Sequence, residues 1–173
     1  MLKGILILFG AFAGLIALVA IIGAMLPVKH VATQSADYGK PPDAVWATIT
    51  DPTKFAAWRP NMKTATPADP ADPRRGWTEI WSHGEQVPIT VEEWTPPRKL
   101  VTRLGPGMAF GGTWTFELAP TPAGTRLRIT ENGEVYNPIF RFLSRFVFGH
   151  TASMRDYLKG LGKAFGEETQ VAG

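Results

Sequence analysis

The chain has 173 residues, 45% of them hydrophobic and 19% charged, a balance that excludes a disordered chain and a length that admits one ordinary domain. It has no cysteine, which excludes a disulfide scaffold, a cysteine zinc site and a thiol nucleophile. A net charge of +3 is too mild to imply nucleic-acid binding, and no nucleic-acid partner is expected.

The apolar residues are concentrated at one end. From Gly4 to Leu26 the sequence reads GILILFGAFAGLIALVAIIGAML, with no charged side chain. As a helix this run is about 34 Å long, enough to cross a hydrocarbon core of about 30 Å. Lys3 closes one end, and Pro27, Lys29 and His30 close the other. A cleaved signal peptide is the rival reading. It needs a shorter apolar core and a small-x-small site, and Thr33-Gln34-Ser35 serves poorly as one. Residues 1–28 are therefore read as a single-pass anchor, in a bacterial inner membrane. Positive charge is balanced across the run, so orientation is nearly undecided, and the short N-terminal tail leans toward a periplasmic domain. Gly10 and Gly14 form a GxxxG pair that a homodimer could use, although such residues are common in membrane helices in any case.

The next elements belong to one α+β domain, read as residues 29–168, followed by a flexible tail at 169–173. His30–Tyr38 alternates weakly and reads as a first, edge-like strand. Asp43 is placed to cap a short helix carrying Val45, Trp46 and Ile49. Asp51-Pro52 opens a second short helix that Pro60 ends. Six strand signals follow: Met62–Thr66, Trp77–His83, Val87–Trp94, Leu100–Leu104, Thr113–Ala119 and Thr125–Val135. Short Gly- and Pro-rich connections make them antiparallel. Trp114, Phe116 and Leu118 share one face, as do Leu127 and Ile129, which predicts one covered and one wet side. Asn137-Pro138 opens a C-terminal helix predicted to run unbroken to Phe165. Its apolar stripe passes through Ile139, Phe142, Phe146, His150, Met154, Leu158 and Leu161, and its opposite face is basic. That basic face reads first as solvated and second as turned toward anionic headgroups. Only a curved sheet wrapped on the long helix buries both apolar faces, and such a wrap leaves a cavity unless side chains fill it.

In this order the residues Pro42-Asp43-Ala44-Val45-Trp46, Asp51-Pro52, Trp58-Arg59-Pro60 and Gly76 resemble the START/Bet v 1-like (SRPBCC) superfamily of helix-grip proteins, of the polyketide cyclase/dehydrase-like kind. So do Glu92-Glu93-Trp94, Pro96-Pro97-Arg98, Gly112-Thr113-Trp114 and Gly124-Thr125-Arg126 leading to Thr130-Glu131. The resemblance covers residues 30–168. It implies a curved antiparallel sheet around a C-terminal helix. It does not choose among carriers, receptors and cyclases.

Chemistry in the chain is sparse. No serine sits in a nucleophile elbow, and Gly105–Gly112 lacks the residues of a phosphate loop, reading instead as a mobile loop. His30, His83 and His150 have no metal-ligand spacing, so neither metal nor cofactor is expected. His150 falls on the apolar stripe and is either a half-buried histidine satisfied by a backbone carbonyl or an acid/base group. Glu131 shares the inward face with Leu127 and Ile129 unless a bulge at Asn132-Gly133 turns it out. Facing inward, it should meet an Arg or His across the cavity. His150 and Glu131 are the catalytic candidates. Trp77, Trp81, Trp114, Phe116 and Ile129 are expected on the sheet wall of the cavity, with Trp114 also read as core. Phe146, His150 and Met154 are expected on the helix wall, and Met108 and Phe110 at a loop gate. The function expected is membrane-anchored binding of an apolar small molecule or lipid. Cyclase/dehydratase-type catalysis and a filled, non-catalytic interaction module are the alternatives.

Overall fold

The structure is a computed structural model that describes residues 2–173. An N-terminal helix, α1 (Leu2–Met25), stands clear of the rest of the chain over most of its length. It is long and apolar enough to cross a membrane. After a three-residue link β1 (Lys29–Tyr38) begins.

A short helix α2 (Pro42–Ile49) follows. Pro41, not Asp43, takes its cap position, and no side chain caps it. Proline has its φ fixed near the required value, so the helix starts without that hydrogen bond, and Asp43 falls in the first turn, where the helix dipole favours an anion. Asp51 does cap the next element, a 3-10 turn over Pro52–Ala57, by accepting from the Thr53 N–H at 3.2 Å.

Strands β2 (Met62–Pro67), β3 (Trp77–Trp81), β4 (Gln86–Thr95), β5 (Lys99–Leu104), β6 (Phe110–Thr121) and β7 (Gly124–Val135) continue as hairpins. With β1 and a two-residue β8 (Val171–Ala172) they form one sheet in the order β2-β3-β4-β5-β6-β7-β1-β8. Adjacent pairs are antiparallel, and register shifts at Met62/Thr64 and Val91/Glu93 help the sheet bend. β1 is paired with β7 from Lys29↔Glu134 to Tyr38↔Thr125, and its other side is an open edge except at Ser35 and Ala36, as the edge-like reading expects. The end of the segment read as a tail pairs with β1 through Ser35↔Ala172.

The C-terminal helix is broken. α3 (Pro138–Leu143) passes into a π-helical turn at Ser144–Phe148, and the helix then breaks at Gly149 before α4 (Ala152–Ala164). Gly149 has φ 74°, a conformation that a side chain disfavours, and this is where the helix stops. Only α4 lies in the grip of the sheet. Its Met154, Tyr157, Leu158 and Leu161 are buried against Leu100, Phe116, Leu118, Leu127 and Ile129 and against Val45, Trp46 and Ile49 of α2. Burial of each such side chain contributes about 1.5–3 kcal/mol. A second, smaller cluster joins Phe55 of the 3-10 turn to Met62, Ala65, Trp77, Val87 and Ile89.

α3 packs instead on α1. The covered residues at the end of α1 are Val19, Ala20, Ile22 and Gly23, followed by Leu26. A Cβ on Gly23 would lie 1.9 Å from the Pro138 carbonyl oxygen, so only glycine permits this approach. Arg141 fastens the joint: its Nη1 donates to the Leu26 carbonyl at 2.9 Å, satisfying one of the acceptors left over where α1 ends. Gly10 and Gly14 meet nothing within 4 Å.

Candidate functional site

Between the sheet and α4 the two apolar clusters are joined through Trp58 and Val91 but do not fill the space. They leave a cavity of about 510 Å³, open at its mouth, within the range of small-molecule sites. The sheet supplies Trp77, Trp81, Ile89, Thr102, Trp114 and Phe116. The 3-10 turn supplies Phe55, and α4 supplies Ala152, Ser153, Asp156 and Tyr157. Met108 and Phe110 border it where β6 begins. The wall is mostly aromatic and aliphatic, with two polar groupings.

The first grouping is an ion pair. Arg59, just past the 3-10 turn, donates through Nη1 to Glu79 Oε1 on β3. Both side chains are deeply buried, 11% and 6% exposed. The Trp77 indole N–H donates to the same carboxylate oxygen at 3.1 Å. The guanidinium carbon lies 5.2 Å from the ring centres of both Trp81 and Tyr157 and 5.5 Å from that of Phe55. An aromatic cage of this kind stabilises a cation that has lost its water.

The second grouping lies where β1 leaves α1. His30 points inward because it shares a strand face with Ala32, Gln34 and Ala36. Its ring stacks on His150, with centroids 3.8 Å apart, and its Nε2 lies 3.7 Å from Glu131 Oε1 on β7. Burial lowers the His30 pKa, helped by His150, and burial lowers that of His150, helped by Arg145. Burial raises the Glu131 carboxyl against a side-chain hydrogen bond from Trp114. Each group is pushed toward its neutral form, so charge does not hold the cluster together. Neutral imidazoles and a carboxyl can donate and accept hydrogen bonds to a ligand head. Among the described residues no group of side chains is arranged to hold a metal ion.

The wall residues on the sheet fall where alternation puts them: Trp77, Trp81, Trp114 and Phe116 face the cavity, as do Met108, Phe110, Glu131 and His150. Phe110 is the first residue of β6 rather than a loop tip, and its ring stacks on Phe140 with centroids 5.6 Å apart. Three residues lie elsewhere. Ile129 and Met154 are sealed in the main core, below the cavity floor. Phe146 is exposed, because the π turn and Gly149 reset the helical phase.

The sequence from residue 29 to residue 166 matches the family model described as polyketide cyclase / dehydrase and lipid transport. The chain belongs to that family. No curated protein matches the sequence. Among solved structures, a START superfamily protein from Mycobacterium smegmatis is similar with a TM-score of 0.64 at 14% identity, over 78% of this chain and 96% of that one. A conserved protein from Geobacillus kaustophilus has a TM-score of 0.67 at 16% identity, over 83% and 100%. A protein from Rhizobium loti has a TM-score of 0.54 at 23% identity, over 80% and 95%. At these identities the likeness carries the fold alone.

Two members of the site are not legible as such in a polyketide cyclase / dehydrase and lipid transport family sequence read alone. His30 looks like punctuation after an apolar run. The Arg59–Glu79 pair joins residues from a helix end and a strand, and the one available signal is a glutamate on the inward face of β3 between Trp77 and Trp81.

Proposed function

We propose that this protein binds an apolar small molecule or lipid in the cavity between the sheet and α4, while α1 anchors it in a bilayer. The observation that carries this reading is the unfilled aromatic cavity itself, about 510 Å³ with polar groups at two points on its wall. A protein using this fold as a solid interaction module would fill that volume with its Trp and Phe side chains. Here they line it. A ligand with an apolar body and a hydrogen-bonding head fits the wall: the body against Trp77, Trp81 and Trp114, the head toward His30, His150 and Glu131. For α1, length, an apolar surface and a three-residue link to the domain support an anchor; a bacterial inner membrane, with the domain on the periplasmic side, is part of the proposal.

The test is native mass spectrometry of the full chain purified in mild detergent, paired with titration of cis-parinaric acid followed by energy transfer from the wall tryptophans. A co-purifying apolar compound and saturable transfer are expected for the wild type. Both should be lost in Ala152→Trp, which puts a large ring at the mouth from the first turn of α4. Equal transfer in the two proteins would sink the proposal.

A second reading has one observation in its favour: Glu131 and His150, the acid/base candidates, converge on His30. A carboxyl raised by burial can act as a general acid beside a neutral imidazole base. On this cyclase/dehydratase-type reading, Glu131→Gln and His150→Asn keep parinarate transfer and abolish conversion of the co-purifying compound. Conversion that survives both substitutions would exclude it.

A further inference from the structure

The chain between β7 and α4 covers little of the sheet beyond the stack of Phe140 on Phe110. Among its described residues, neither α3 nor the π turn contains a buried side chain. Phe146, Val147 and Phe148 are 59%, 60% and 62% exposed, three large apolar residues in succession. Phe140 and Val31 are exposed nearby on elements that begin at the same end of the domain. A water-facing loop would not carry this run.

The position of the run identifies what covers it. α3 lies along α1 from Val19 to Gly23, so it reaches roughly 9 Å back from the end of α1 at about 1.5 Å per residue. Interfacial segments bury their apolar faces about 5–10 Å into the headgroup and acyl boundary, so the two depths agree. Arg145 is exposed beside the run and long enough to reach phosphate oxygens, while Arg141 is held on the Leu26 and Tyr136 carbonyls. On the other side, the residues that follow Phe148 are Gly149 and His150, which border the cavity.

We infer that Pro138–Phe148 is a second membrane contact, a lip that inserts Phe146, Val147 and Phe148 into one leaflet beside α1 and turns the cavity mouth toward lipid instead of water. The inference rests on the reading of α1 as an anchor. It assigns the ligand a route: from the leaflet, past the lip, to the His30–His150 end of the cavity, without crossing bulk water.

The absence of cysteine makes the test clean. Single substitutions Val147→Cys, Leu15→Cys and Lys163→Cys are introduced into the full chain and labelled with an environment-sensitive fluorophore. The proteins are reconstituted into vesicles of phosphatidylcholine and phosphatidylglycerol with and without brominated lipid. Leu15 reports the middle of α1, and Lys163 the far end of α4. The expected result is blue-shifted emission and strong bromolipid quenching at 147 and 15, with neither at 163. Quenching at 15 but not at 147 would overturn the lip and leave the anchor standing. No quenching at 15 would overturn the anchor and the lip with it. A blue shift at 147 without quenching would assign the patch to a second copy of the chain and overturn the membrane contact.

Discussion

His30 and His150 lie face to face, their rings 3.8 Å apart and 24° from parallel, although one opens β1 and the other follows the break before α4. The stack ties the strand that leaves α1 to the turn that leads into α4. It also makes the fold sensitive to acid. Burial lowers both histidines from an ordinary value of 6.5. The unfolded chain therefore takes up protons first as pH falls below 6.5, so stability is fully present above that value and is lost below it. His30→Phe keeps a ring on the stack and removes one titrating group. Thermal melts of the detergent-solubilised chain should show a shallower fall of Tm on acidification in His30→Phe than in the wild type. Parallel curves would show that this pair does not govern the acid limb.

Glu131 has the opposite sign. Its folded value is raised above 4.5 by burial, so the folded state holds its proton longer than the unfolded chain does. Stability from this group is complete below 4.5 and is lost as pH rises through the folded value. Glu131→Gln removes that loss while keeping a group of similar shape beside His30. Its Tm should exceed that of the wild type in alkaline buffer and converge with it in acid. A wild type that stays more stable than the variant at every pH would mean that the carboxylate, not the acid, is what the site stabilises.

The Arg59–Glu79 pair should behave as a buried pair does. Losing one partner leaves an uncompensated charge at a cost of about 3–5 kcal/mol. Arg59→Met strands the Glu79 carboxylate with the Trp77 N–H alone. Glu79→Gln leaves Arg59 with its ring contacts, and the new amide oxygen can still accept from Trp77. Denaturant unfolding should therefore rank Arg59→Met as more damaging than Glu79→Gln. The double variant should be more stable than the sum of the two losses predicts. Strict additivity would mean that the two side chains do not interact.

Sequence alone reads the sheet well, because period-2 alternation is local: Trp114, Phe116, Leu127 and Glu131 face inward as their spacing requires. α4 reads well for the same reason at a different period, since Met154, Leu158 and Leu161 are buried as the stripe requires. The break in the C-terminal helix is not visible by periodicity. The apolar spacing continues through Phe142 and Phe146, and a stripe that faces a neighbouring helix or lipid looks the same as one that faces a core. Gly149 carries the only local signal of the stop. The polar groupings are the least legible part. Spacing places Glu131 and His150 on the cavity, but their shared partner His30 and the Arg59–Glu79 pair come from residues distant in sequence, which spacing does not mark.

Gly23 sets the geometry of the α1–α3 joint, and a matched pair of substitutions tests it. In a helix Gly→Ala gains up to about 1 kcal/mol in propensity. At Gly10 nothing lies within 4 Å of the added methyl, so Gly10→Ala should be neutral or mildly stabilising. At Gly23 the methyl would meet the backbone carbonyl of Pro138 at 1.9 Å, and a backbone atom cannot swing aside as a flexible side chain can. Overpacking of this kind costs about 1–3 kcal/mol, which exceeds the propensity gain. Gly23→Ala should therefore part α3 from α1 and release Arg141 from the Leu26 carbonyl. Limited trypsin digestion in detergent should cut after Arg141 and Arg145 faster in Gly23→Ala than in the wild type, with Gly10→Ala unchanged. Equal rates in all three proteins would show that α3 does not depend on α1 for its place.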